Sequence, residues 1–129
     1  MAKDGELKGV QLKINDMWDH IDPFLDAFPR SEKGYAGLGT LMKLTIAKMA
    51  EAALDATKEY TAKSVLKDLH ELDKLNQHLT YYLDRAEKKK IISGRHADST
   101  RDYITDIGRL TGGWIRTINE SEKSKYAKK

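Results

Sequence analysis

The chain of 129 residues has no cysteine. Disulfides, thiolate zinc sites and cysteine nucleophiles are therefore excluded, and a reducing cytoplasm is the expected location. Proline occurs only twice, so long helices can run unbroken over most of the length. No apolar run approaches the roughly 20 residues of a membrane span. The opening MAKDGELKG is polar and lacks the apolar stretch of a secretory leader. No membrane partner is expected. Strand-type alternation is also missing, as are a Walker loop, a dinucleotide glycine fingerprint and a nucleophile elbow. With those signals absent, no enzyme activity and no cofactor are expected.

What the chain does have is charge, 33% of residues, and apolar residues at steps of three and four. Four helices are predicted. The first spans about Leu7–Ala27, with Val10, Ile14, Met17, Trp18, Ile21, Phe24, Leu25 and Phe28 on one face. Asp16, Asp19, Asp22 and Asp26 form an acidic stripe beside it, and Pro23 predicts a kink. FPRSEKGYAGLG (28–39) reads as a loop. The second helix spans about Leu38–Tyr60, its buried face traced by Leu38, Leu41, Met42, Thr45, Met49, Ala53, Leu54 and Thr57. The third starts at a Thr61 or Ser64 cap and carries a leucine seam to about Lys90. ISGRHADS (92–99) reads as a loop with Asp98 or Ser99 capping the fourth helix, expected over about Thr100–Asn119. The fold class is all-α: an antiparallel up-down four-helix bundle over 1–120, followed by a basic, flexible tail over 121–129.

The net charge of +3 conceals two clusters. Residues 85–101 and residues 109–129 each sum to +4, and the rest sums to −5. The first cluster holds Arg85, Lys88, Lys89, Lys90, Arg95, His96 and Arg101; the second holds Arg109, Arg116, Lys123, Lys125, Lys128 and Lys129. Clustered cations are an electrostatic footprint for a polyanion, and these are the candidate nucleic-acid contacts. The plain alternative is a solvated surface. Tyr81, Tyr82 and Tyr103 lie near enough in sequence to stack on unpaired bases, with Tyr81 the better candidate for exposure.

GRLTGGWIRTIN places three glycines within six residues of a helix-patterned segment, where glycine costs about 1 kcal/mol each relative to alanine. Gly108 and Gly112 share a face with Ile115, beside the apolar row that includes Trp114. That smooth face suits close packing, either within one subunit or between subunits. Gly113 lies on another side, between Arg109 and Arg116. Metal signals are weak. The chain contains no Glu-x-x-His, and the pairs Asp16/His20 and Glu51/Asp55 are ordinary exposed polar pairs. No metal is expected. Gly34, Gly37 and Gly39 precede a helix, yet no strand comes before them, so they read as a plain loop.

FPRSEKGYAGLGTLMKL followed by Met49-Ala50-Glu51-Ala52 resembles the four-helix-bundle family of ribosomal-RNA intervening-sequence proteins. Gly108-Arg109 and Gly112-Gly113-Trp114-Ile115-Arg116 resemble one branch of it, the accessory variability determinant (Avd) proteins of diversity-generating retroelements. The chain departs from the pattern in having an extra residue within Tyr35-Ala36-Gly37-Leu38, in Ala52 for the usual glycine and in Lys48 for a common asparagine. The third-helix face near Asn76 and Thr80 is read as exposed and neutral. The resemblance implies a homopentamer around a central channel and a non-enzymatic subunit that binds a retroelement reverse transcriptase, its template RNA and its complementary DNA during mutagenic synthesis. The alternative is an intervening-sequence-type bundle of unassigned role, with ribosomal RNA as a partner. A small metal-binding or enzymatic bundle is the third hypothesis.

Overall fold

A computed structural model describes residues 4–127, with side chains described for 9–124. Four helices account for nearly all of it: α1 Asp4–Asp26, α2 Leu38–Lys58, α3 Ala62–Lys88 and α4 Gly94–Ala127, with a short 3-10 turn at Arg30–Glu32. Each helix packs on the next and α1 also packs on α4, while among the described residues the backbones of the diagonal pairs stay more than 8 Å apart. That is the square up-down bundle expected from four amphipathic helices with short connections.

The core is a column of side chains from all four helices. Val10, Ile14, Met17, Ile21 and Leu25 face Met42, Ile46 and Met49, then Leu69, Leu72, Leu79 and Leu83, then Ile107, Trp114 and Ile118. Burying each such side chain contributes about 1.5–3 kcal/mol. The expected phase of α1 is observed. On α2 the buried face is rotated from the expected one. Ile46, Ala52 and Ala56 point inward, whereas Leu54 is 46% exposed. The small alanines let α2 and α3 approach closely, which turns the bulkier leucine out.

Thr61 caps α3, its hydroxyl accepting the Ser64 N–H at 3.2 Å. α4 begins six residues before its expected start. Ser93, not Asp98 or Ser99, is its cap: Ser93 Oγ accepts the His96 N–H at 3.2 Å and its carbonyl accepts the Ala97 N–H at 2.9 Å. Ala97 and Thr100 are fully buried, so the first turns of α4 are held by the core. At its other end α4 continues to Ala127 instead of stopping near Asn119. α1 runs continuously through Pro23 and ends three residues later. The α1–α2 loop and the α3–α4 turn lie at one end of the bundle, joined by Lys89 and Glu32.

Candidate nucleic-acid interface

The 28–39 loop is a lock between helices. Phe28 is buried. One oxygen of Glu32 accepts the Leu38 N–H at 3.1 Å and the other accepts from Lys89 Nζ at 2.5 Å. The lysine hydrogen bond and then the backbone one hold the Glu32 carboxyl below its ordinary range. The start of α2 therefore already holds an anion, the protein's own. Gly37 is required by close approach, since a Cβ there would lie 2.4 Å from the Glu32 carbonyl carbon.

The expected basic cluster at the α3–α4 turn divides into two sets. Lys89 is held by Glu32. Arg101 is clasped by Asp84 and Asp98, each at 2.8 Å, and by Glu87. Its hydrogen bonds to Asp84 and Glu87 push its pKa still further up. It ties α3 to α4, and three of its five N–H donors are taken by these carboxylates. His96 stacks on Phe24 with ring centroids 4.0 Å apart and is half-buried. Arg85, Lys88, Lys90 and Arg95 are exposed and make no ion pair among the described residues. Lys90 occupies the left-handed region at φ 61°. It follows the end of α3 in a Schellman arrangement, with Ile91 N–H to Ala86 C=O at 3.0 Å and Lys90 N–H to Glu87 C=O at 2.9 Å.

Along α4, Arg109, Arg116 and Lys123 are exposed as the spacing requires. Acids stand before the first and between the last two: Asp106 lies 3.4 Å from Arg109, and Glu120 and Glu122 fall between Arg116 and Lys123. The side chain of Lys125, and Lys128 and Lys129 entirely, fall outside the described residues. The bundle surface divides the two glycines expected on one face. A Cβ on Gly108 would meet Asn76 Nδ2 of α3 at 3.4 Å, whereas nothing lies within 4 Å of one on Gly112 or Gly113. Trp114 is buried and Ile115 is half-buried. Asn76, read from the sequence as exposed, is buried and donates to the Ile104 carbonyl at 3.0 Å, because Gly108 leaves room for its amide. Among the described residues no three metal-ligating side chains come together, and no helix is long and apolar enough to cross a membrane.

The sequence reading missed the outer face of α3. Lys63, Lys67, His70, Lys74, His78, Tyr81, Arg85 and Lys88 are all exposed and follow one another at helical steps. The signal was present in the spacing. It was hidden because α3 carries five lysines and arginines and five acids, so a sum along the chain returns zero.

No protein-family model matches the chain, and no curated protein matches it. Among solved structures it is similar to a protein of unknown function from the S23 ribosomal protein family of Bacteroides thetaiotaomicron, with a TM-score of 0.77 and 14% identity. The alignment covers 86% of this chain and 98% of that one. At that identity the likeness establishes the four-helix fold.

Proposed function

We infer that the protein is a non-enzymatic RNA-binding subunit of the Avd type, which assembles as a homopentamer and supports a retroelement reverse transcriptase copying its template RNA. The observation that carries the nucleic-acid part is the group of Arg85, Lys88, Lys90 and Arg95, exposed at one end of the bundle and without an ion pair among the described residues. Lys90 adds to it. A lysine keeps a left-handed position that glycine fills at lower cost, which fits a charge retained for its own sake. The Gly108–Arg116 motif supports the branch reading, and the 28–39 motif supports the wider family reading.

The deciding experiment is co-expression with any reverse transcriptase encoded near its gene, nuclease treatment, and native mass spectrometry. A stable complex of one polymerase with five copies is the expected result. A ring that never captures polymerase overturns the Avd reading. The second reading, an intervening-sequence-type bundle acting on ribosomal RNA, then takes its place; likeness to the S23-family structure favours it.

A further inference from the structure

We propose that the outward face of α3 is a track for single-stranded RNA, with Lys63, Lys67, Lys74, Arg85 and Lys88 contacting phosphates along one strand and Tyr81 stacked on an unpaired base. The proposal rests on the RNA-binding reading above and says where and in what form the RNA lies.

Charge on α3 is sorted around the helix axis. At 3.6 residues per turn, all five cations, both histidines of the helix and Tyr81 fall within an arc of roughly 80°. All five acids fall outside that arc, three of them bound to other side chains and a fourth partly buried. Asp84 and Glu87 hold Arg101 of α4. Asp73 accepts from Gln77 at 3.1 Å. Asp68 has one carboxylate oxygen buried. Only Glu71 borders the stripe, 3.8 Å from Lys74.

The stripe runs 25 positions from Lys63 to Lys88, or about 37 Å at 1.5 Å per residue. It ends beside Lys90 and Arg95, so the track and the basic turn are continuous. Tyr81 is its sole apolar side chain, which leaves no hydrophobic face to enter a lipid layer or to seat an apolar helix. Tyr81 is 64% exposed and is supported edge-on by Tyr82 at 6.1 Å. An exposed ring among cations on one helix face is the combination that holds unpaired strands: charge follows the backbone while the ring stacks on a base of any identity. A duplex keeps its bases closed to such a ring, and its phosphates wind away from a straight line of charge.

The test measures fluorescence anisotropy of the full chain with a 20-nucleotide single-stranded RNA and with a blunt duplex of equal length, from low to moderate salt. Three variants are compared: Lys63→Gln/Lys67→Gln/Lys74→Gln, Tyr81→Ala, and Lys90→Gln/Arg95→Gln. All these positions are exposed, and circular dichroism checks that each variant folds. The expected result is preference for the single strand and a log–log salt slope smaller by about 2 in the triple variant, given roughly 0.7 per phosphate contact. Tyr81→Ala is expected to lose about tenfold in affinity with the slope unchanged. A triple variant that matches wild type, while the turn variant weakens, overturns the α3 track and leaves the RNA-binding reading standing. Preference for the duplex overturns the single-strand assignment. No binding by wild type at low salt removes both. Loss of polymerase capture by the triple variant with RNA affinity intact assigns the stripe to an acidic protein surface and overturns the track.

Discussion

At the scale of single residues, two positions on the same end of the bundle make opposite demands. Gly37 has no alternative. Its backbone is extended, at φ −69° and ψ 153°, so the constraint is space. Gly37→Ala drives a methyl into the Glu32 backbone and is expected to cost about 3 kcal/mol, as overpacking against an immovable group does, read as a shift in urea midpoint. Lys90 is the reverse case, a residue where glycine would be easier. Lys90→Gly keeps the Schellman hydrogen bonds and relieves the left-handed strain. It is expected to raise stability by about 1 kcal/mol while weakening RNA binding. Equal affinity in the two proteins would show that the lysine is not retained for phosphate.

At the scale of elements, the ion pairs hold helices to one another, and their removal separates structure from binding. Arg101→Gln leaves Asp84, Glu87 and Asp98 facing one another at the α3–α4 junction. It is expected to cost about 1–2 kcal/mol, several surface pairs' worth, with RNA affinity unchanged. A matching loss of affinity would return Arg101 to the interface. Glu32 gives a pH signature. Its carboxyl is depressed in the fold, so its contribution is complete above the ordinary value of 4.5 and is lost as pH falls through the lower folded value. Glu32→Gln is expected to lower Tm at pH 7 by about 5 °C and to narrow its gap from wild type as pH drops below 4.5. A constant gap would exclude the carboxylate as the cause. These elements also show what was legible in the sequence. The number and order of the helices and the seams of α1, α3 and α4 were, because leucine and isoleucine spacing reports burial directly; the seam of α2 was not, because its buried alanines carry little apolar signal. The start of α4 was not, because Asp98 and Ser99 look like caps and only tertiary burial of Ala97 and Thr100 extends the helix back to Ser93. Arg101 looked like a ligand for phosphate because its partners Asp84 and Glu87 are distant in sequence. The α3 stripe was legible in principle, but only around the helix and not along it.

At the scale of the whole molecule, the open glycines of α4 bear on assembly. Two glycines inside a long helix cost about 2 kcal/mol relative to alanines, and among the described residues nothing lies within 4 Å of a Cβ placed at Gly112 or Gly113. Gly108 is different, since Asn76 fills its gap within the bundle. In the proposed ring, a neighbouring subunit lies against Gly112. Two substitutions separate that account from a neutral one. Gly112→Ala removes the helix penalty and is expected to raise the unfolding free energy of an isolated subunit by about 1 kcal/mol. Gly112→Leu puts a bulky side chain where the neighbour would sit and is expected to reduce the mass of the assembly in native mass spectrometry while helicity is retained. If Gly112→Leu assembles as fully as wild type, the Gly112 face is not a subunit contact. If it falls apart while Arg109→Gln/Arg116→Gln assembles normally, α4 uses one side for its neighbour and leaves its cations free for a ligand.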